Sequence, residues 1–270
     1  MILLTLAAAA AAQSPSQRGY DLFNPVPRDK MRPLSADRPD ATESPQTVDA
    51  GHAQIEMDIA IYLRDRADTF EDTLAFAFTN FKLGLTHNVD IQFVFSPYVR
   101  SETMVGGVKV TDESHSNLRI RSKINLWGND GDKPTSFALI PLVKIPTNSS
   151  VGNDDFEFGL ITPFATDLPN GWGLGAQLRF DALRDQADGD YELTFSQSVV
   201  LGHEISGPLA GFVEFLSVFP GESGADWFGT LDVGLTYAVN DDVQLDVGTF
   251  LGVNSAAPDF VVFVGITWRF

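Results

Sequence analysis

Apolar and polar residues alternate along most of the chain beyond residue 52. Between residues 53 and 64, apolar side chains occupy the odd positions and polar side chains most of the even ones: Ile55, Met57, Ile59, Ile61 and Leu63 against Gln54, Glu56, Asp58, Tyr62 and Arg64. A repeat of two residues places successive side chains on opposite faces of an extended strand. The pattern therefore predicts a strand with one apolar face and one polar face.

The same alternation returns in segment after segment up to the C-terminus. Clear examples cover residues 118–126, 172–181, 231–239, 243–253 and 260–270. We count about twelve such segments. Most of them approach the ~9–11 residues that a tilted transmembrane strand needs. The chain is therefore predicted to be all-β.

The connections between these segments also alternate, between short and long. Tight polar turns are predicted at residues 87–90, 129–133, 169–171, 206–208 and 240–242. Longer links are predicted at residues 65–72, 104–116, 147–155, 184–190, 221–226 and 255–259. Short periplasmic turns and longer outer loops are the layout of bacterial outer-membrane barrels. An even number of strands then places both termini on the periplasmic side.

Soluble β-sandwiches and lipocalin-type barrels also contain alternating strands, but they turn the apolar face inward. The segments here exceed the usual ~5–6 residues of a strand. Aromatic residues lie near strand ends, where membrane proteins carry aromatic girdles: Trp172, Tyr237, Trp268 and Phe270. We therefore expect a transmembrane antiparallel up-and-down β-barrel in the outer membrane of a Gram-negative bacterium.

Composition divides the chain into three regions. Residues 1–12 are apolar or small and end in an alanine run, which is typical of a secretory signal peptide, although the usual basic start is missing. Residues 13–51 are rich in Pro, Asp, Arg and Ser and show no apolar period, so they are predicted to be extended. This segment either stays loose in the periplasm or folds into the barrel as a plug. Residues 52–270 form the barrel.

The C-terminal strand ends on Phe270, after an alternation of outward aromatic residues. This ending resembles the signal by which the barrel-assembly machinery recognises outer-membrane proteins. We therefore expect that machinery to be a partner, together with outer-membrane lipid and lipopolysaccharide.

A motif near the N-terminus resembles a known family. Residues 37–45 read D-R-P-D-A-T-E-S-P and are followed by Thr47, Val48, Gly51 and a strand that contains Gln54, Ile55 and Glu56. Residues 254–260 and the turn at residues 167–172 also look like that family. The resemblance covers residues 32–270 and is to outer-membrane transporters named for the MetA-pathway of phenol degradation. It implies a channel or transporter, and it supplies no catalytic or binding residues.

Charge and composition exclude several classes of function. The formal net charge of -18 argues against nucleic-acid binding, which requires clustered Lys and Arg. The chain contains 0 cysteines, so it has no disulfide framework and no thiolate metal site. We expect no cofactor and no metal.

Strand parity assigns a set of charged residues to the lumen: Glu56, Asp58, Arg119, Arg121, Lys123, Arg179, Asp181, Glu214, Asp232 and Asp246. The three basic residues of one strand share a face, because residues two apart point the same way. Such a ladder opposite carboxylates would set up a field across the lumen that orients solutes. Alternatively, these charges pair and fill a narrow interior.

An outer-membrane hydrolase of the phospholipase type is the main alternative. Such an enzyme needs a His and a Ser that reach the same face. The chain has four histidines, His52, His87, His115 and His203, and none has a serine in that relationship. A structural or adhesive barrel would need longer outer loops.

The pattern therefore favours passive passage of small solutes through a charged lumen. The excess of acidic residues would favour cations, whereas the basic ladder would provide a local anion site. The name of the family suggests aromatic or other small organic solutes.

Overall fold

The computed structural model describes residues 17–66, 71–185 and 189–270. The predicted signal peptide, residues 1–12, lies outside the described residues. Within them the chain forms fourteen strands and two short 3-10 turns, at Arg28–Lys30 and Pro169–Gly171. The strands are β1 (Ala53–Asp65), β2 (Glu71–Thr86), β3 (Val89–Phe95), β4 (Tyr98–Val105), β5 (Val108–Ser114), β6 (Leu118–Trp127), β7 (Thr135–Ile145), β8 (Glu157–Asp167), β9 (Trp172–Arg184), β10 (Tyr191–Ser206), β11 (Leu209–Phe219), β12 (Phe228–Asn240), β13 (Val243–Gly252) and β14 (Phe260–Arg269).

The strands close into a single antiparallel barrel. Strand β1 pairs with β2 on one side and with β14 on the other, so the sheet has no gap at the chain ends. Strands β3 and β4 both pair with β2, and they are one long strand interrupted at residues 96–97. Strands β5 and β6 are interrupted in the same way at residues 115–117. Counting each interrupted pair once, the barrel has twelve strands, which confirms the predicted number.

The two faces of the barrel wall are inverted relative to a soluble protein. Large apolar side chains of β8–β14, such as Val233 and Val264, are 38% and 44% exposed on the outer face. The buried side chains are mostly polar or charged and point inward, as in Lys82, Asp90 and Lys123. A soluble barrel would bury the apolar set and expose the polar set, so this wall is built to face lipid. Within the part of the chain that the structure describes, no helix is long and apolar enough to cross a membrane.

The two ends of the barrel differ in their connections. We call the end with the short turns and Phe270 the turn end, and the opposite end the loop end. The last residue closes the barrel at the turn end, where the Phe270 and Ala53 N–H groups each donate to the other's carbonyl at 2.9 and 3.2 Å.

The predicted long link at residues 104–116 is wrong. Strands β4 and β5 run through it and meet in a two-residue hairpin at Gly106 and Gly107, whose positive φ angles suit such a turn.

A β-bulge in β1 changes which side chains face inward. The register with β14 shifts between Asp58 and Ala60, so that Ile59 is the extra residue. Beyond the bulge the alternation is reversed, and Ile61 and Leu63 line the lumen. The predicted outward position of these two side chains is therefore wrong, because strict alternation assumes a strand without a bulge.

The N-terminal segment (residues 17–51) places residues 31–51 inside the barrel, whereas most of residues 18–30 are exposed at the turn end. It enters at the turn end, where the Leu22 N–H donates to the Leu85 carbonyl at 2.9 Å. It then turns back on itself, and the N–H of Val26 donates to the carbonyl of Ala50 at 3.0 Å. The innermost part is residues 37–45, which we call the plug loop.

Candidate functional site: the plugged lumen

The plug loop has no regular secondary structure, so its backbone polar groups must find partners elsewhere. Its sequence supplies two prolines, which lack an N–H, and six side chains that carry charge or a hydroxyl group. The partners come from the inward face of the barrel wall. Each contact described below joins this loop to a strand that is distant in sequence.

Asp37 is held by a cluster of cations. Its carboxylate forms ion pairs with Lys82 of β2 and Lys123 of β6, and Arg121 lies 3.5 Å away. The Asp37 side chain is 3% exposed. Although burial by itself raises a carboxyl pKa, the three cations together lower the pKa of Asp37 well below its usual range. The Asp37 N–H donates to both carboxylate oxygens of Glu56 at 3.1 Å, which fixes the start of the loop.

Arg38 bridges two strands of the wall. Its guanidinium binds Asp246 of β13 through two hydrogen bonds of 2.8 Å and Asp58 of β1 through one of 2.7 Å. A planar guanidinium suits such paired contacts with carboxylates. The side chain needs the space above Gly265 of β14, because a Cβ atom there would lie 1.9 Å from Arg38 Nη2.

The middle of the plug loop is bound by hydrogen bonds on the opposite wall. Glu214 of β11 accepts the Ala41 N–H at 2.7 Å and also the hydroxyl group of Thr42. The Thr42 Oγ1 atom lies 2.6 Å from Ser198 Oγ of β10. These contacts tie the loop to strands β10 and β11.

The end of the plug loop returns to the basic strand β6. Arg121 donates to both oxygens of the Glu43 carboxylate, one of them at 3.0 Å. The Glu43 N–H donates to Gln177 Oε1 at 2.8 Å. Asn125 Nδ2 donates to the Pro45 carbonyl at 2.9 Å. The plug loop therefore contacts almost the full circumference of the lumen.

The returning arm of the segment packs closely against the wall. The Val48 N–H donates to Asp90 Oδ2 at 3.1 Å. Gly84 of β2 allows the approach, because a Cβ atom there would lie 2.1 Å from the Asp49 carbonyl oxygen. At the turn end, the Asp49 carboxylate accepts from Arg32 at 2.8 Å and Arg269 at 3.3 Å. These buried pairs anchor both arms of the segment.

The predicted lumen residues fall into three groups. Six of them contact the plug loop: Glu56, Asp58, Arg121, Lys123, Glu214 and Asp246. Arg179 and Asp181 pair with each other at 2.6 Å, and Asp232 lies opposite Glu214 in the strand register with its two oxygens buried. Arg119 is the remaining member. It has no hydrogen-bond or ion-pair partner among the described residues.

Sequence reasoning missed several residues that matter at this site. Lys82 and Asn80 alternate with Phe81 and Leu83, so strand parity alone would have found Lys82. The charged residues of the plug loop lie outside any alternating pattern. Their role depends on where the loop is docked, which parity does not address.

Open space remains on both sides of the plug loop. An inner cavity of about 320 Å³ lies directly on it and is lined by Arg38, Asp40 and Arg119 among others. An outer cavity of about 470 Å³ continues toward the loop end. Four residues line both cavities and mark their junction: Asp58, Ile61, Phe78 and Arg119. A third cavity of about 400 Å³ lies at the turn end.

Three histidines contact backbone carbonyl oxygens through Nε2: His52 contacts Val26, His115 contacts Thr147 and His203 contacts Asn170. Each ring nitrogen acts as a donor in this arrangement. Within residues 17–66, 71–185 and 189–270, no group of three or more His, Asp or Glu side chains is arranged to hold a metal ion.

The fold and the lumen define the class of the protein, which is a transmembrane β-barrel of the outer-membrane type with an internal plug. The chain belongs to the family described as "MetA-pathway of phenol degradation", whose model matches residues 36–270. This match includes the plug loop, and it confirms the resemblance of the sequence. No individual curated protein matches the sequence.

Several solved structures resemble this chain at low sequence identity, and the first of them shares its barrel fold. The porin NanC is 10% identical with a TM-score of 0.53, and the match covers 79% of this chain and 98% of the porin. The translocator domain of the autotransporter NalP from Neisseria meningitidis is 12% identical with a TM-score of 0.47, over 81% of this chain and 87% of that domain. OccK11 from Pseudomonas aeruginosa is 8% identical with a TM-score of 0.38, over 81% and 95% of the two chains.

Proposed function

We propose that the protein is an outer-membrane channel for the passive passage of small solutes, closed at rest by its plug loop. The observation that carries this proposal is the position of the Arg38 contacts between two cavities. Along the inward face of β13, Gln244 lines the turn-end cavity, Asp246 binds Arg38 and Phe250 lines the inner cavity. Six residues of strand span about 20 Å. The Arg38 ion-pair cluster therefore lies between open space on both sides.

The wall next to this cluster is suited to a polar solute. In the described part of the chain, several buried side-chain atoms of β11–β14 have no hydrogen-bond partner, among them Ser217 Oγ, Gln244 Nε2 and Thr267 Oγ1. A buried polar group without a partner costs free energy. This row of unpaired atoms along β11–β14, which we call the seam, therefore favours contact with water or a polar solute. Movement of the plug loop away from β10–β14 would join the cavities along this seam.

Membership of the family agrees with the proposal, since the name of the family refers to the breakdown of a small organic compound. The turn end corresponds to the periplasm, because bacterial barrels place short turns there. Solutes would enter at the loop end, cross the outer cavity and then the inner cavity, and pass Arg38 into the turn-end cavity.

A reversible cross-link tests the proposal in the full-length chain. Thr42 and Ser198 have side-chain oxygens 2.6 Å apart, and the chain contains 0 cysteines of its own. The double variant Thr42→Cys/Ser198→Cys is reconstituted in planar bilayers, with Ser198→Cys as the matched control. We expect discrete conductance steps with reductant, and their loss with oxidant in the double variant only.

A second variant tests the Arg38 contacts separately. Arg38→Gln should raise the open probability, because it removes the ion pairs of the plug loop with Asp58 and Asp246. Arg28→Gln is the control, since Arg28 belongs to the same segment but is 62% exposed. Equal conductance of the oxidised and reduced double variant would show that the plug loop is not the gate. Folded barrels that stay silent as wild type, reduced double variant and Arg38→Gln would refute the channel.

A further inference from the structure

We infer that Arg119 forms the binding site for a small organic anion with an apolar body, at the junction of the inner and outer cavities. This inference rests on the proposed function, because it identifies the class of solute that the channel carries. It starts from the basic side chains that line the lumen cavities, each of which has a carboxylate partner among the described residues except this arginine.

The surroundings of Arg119 leave one positive charge in excess. Arg119 lies directly opposite Lys144 in the register of β6 and β7. Like charges directly opposite each other destabilise a sheet. Lys144 has a carboxylate partner, Glu157 at 3.0 Å, whereas Arg119 has none in the described residues.

The other charged groups near Arg119 are already engaged. Arg121, two residues further along β6, binds the Glu43 carboxylate. Arg179 binds Asp181 through hydrogen bonds of 2.6 and 3.0 Å. An anion at Arg119 would therefore meet an uncompensated guanidinium, which can form two parallel hydrogen bonds with a carboxylate.

The apolar part of the site comes from the reversed face of β1 and from β2. Ile61 is turned inward by the bulge at Ile59, and together with Phe78 it lines both cavities. Further apolar side chains line the inner cavity: Val94, Leu142, Phe250 and Phe263. Cavities of about 320 and 470 Å³ match the usual size of small-molecule sites. Charge on one side and apolar surface on the other select an anion with an apolar body over an inorganic ion.

The acidic floor of the inner cavity sets the direction in which such an anion is held. Asp40 lines this floor and has no hydrogen-bond or ion-pair partner from another side chain in the described chain. A carboxylate ligand finds no unpaired cation among the described residues on that side and is attracted to Arg119. The anion is therefore expected to bind with its charge toward β6 and its apolar body toward Ile61 and Phe78.

Calorimetric titration of the folded full-length protein with benzoate tests the inference. Benzyl alcohol serves as the uncharged probe with the same ring, and acetate as the anion without it. We expect benzoate to bind more tightly than either. Arg119→Gln should weaken benzoate binding roughly ten- to hundredfold, the value of a charge-assisted hydrogen bond. Arg119→Lys should retain part of the affinity.

Two control variants separate the charge from the cavity. Phe78→Ala should weaken benzoate without affecting acetate, and Arg100→Gln, an arginine 42% exposed on β4, should change neither. Equal affinity of wild type and Arg119→Gln for benzoate would overturn the inference, as would equal binding of benzyl alcohol or no binding of benzoate at all. None of these outcomes affects the conductance test, so the channel and its solute class fail separately.

Discussion

At the scale of single residues, the charged residues of the plug loop are explained by their partners on the barrel wall. Asp37 and Glu43 match the cations of β2 and β6, and Arg38 matches the carboxylates of β1 and β13. Removing one partner of a buried ion pair leaves an uncompensated charge and typically costs ~3–5 kcal/mol. The motif is therefore a set of complementary charges, and each of these three residues has a named partner on the wall.

Asp40 differs, because no cation partners it. Withdrawal from water and the proximity of Glu214 raise the pKa of Asp40 well above its usual value of 3.8. Burial likewise raises the pKa of Glu43 to about 7, although Arg121 acts in the opposite direction. A raised pKa in the docked state means that docking is most favourable at low pH and weakens as pH rises through that pKa.

We therefore expect the open probability of the channel to rise with pH as Asp40 and Glu43 lose their protons, Glu43 between about pH 4.5 and pH 7. Asp40→Asn should reduce this pH dependence and keep the channel closed, because an amide cannot ionise. Single-channel recording over a pH series measures both effects. Asp29→Asn changes an exposed acid of the same segment and should leave the profile unchanged. A pH profile that is the same in Asp40→Asn and wild type would contradict this account.

At the scale of single elements, the bulge in β1 decides what lines the lumen. Without it, Tyr62 and Arg64 would point inward and the outer cavity would be polar on that side. With it, Ile61 and Leu63 supply apolar surface beside Arg119. One extra residue therefore changes the chemistry of the cavity.

Cysteine accessibility tests the reversed face directly, since the chain has 0 native cysteines. Ile61→Cys should react rapidly with a charged, water-soluble thiol reagent, because its side chain lines the cavities. Ala60→Cys should be protected in lipid vesicles, because it pairs with the outward Val264. The reverse order of labelling rates would show that β1 keeps strict alternation. Detergent-unfolded samples of both variants provide the maximum rate.

At the scale of the whole molecule, the apolar belt fixes the environment of the barrel. Val233 lies in the middle of β12 and is 38% exposed on the outer face. We expect Val233→Arg to lower the free energy of unfolding in lipid vesicles by ~2–4 kcal/mol, the cost of a cation at the bilayer midplane. Urea titration followed by tryptophan fluorescence measures this change.

The matched control for the belt is Asn240→Arg, an exposed position at the turn end of the same strand. Near the membrane interface the same change should cost only ~0–1 kcal/mol. If Val233→Arg were as stable as Asn240→Arg, the outer face would not contact hydrocarbon.

The sequence by itself determined the all-β class, the number of strands, the orientation of most side chains and the short turns. These features depend on local geometry, since a strand repeats every two residues and a turn needs a few particular ones. The motif at residues 37–45 also identified the family, which the family model confirms.

Only the tertiary structure decided where residues 17–51 lie, which charges meet across the lumen and which cation is left over. Arg119, Arg121 and Lys123 are equivalent in the alternating pattern, yet two of them bind the plug loop and one does not. The bulge at Ile59 and the interruptions of β3/β4 and β5/β6 likewise leave no mark in the period. Pairing between residues as far apart as Arg38 and Asp246 depends on how the barrel closes, and closure is a property of all twelve strands together.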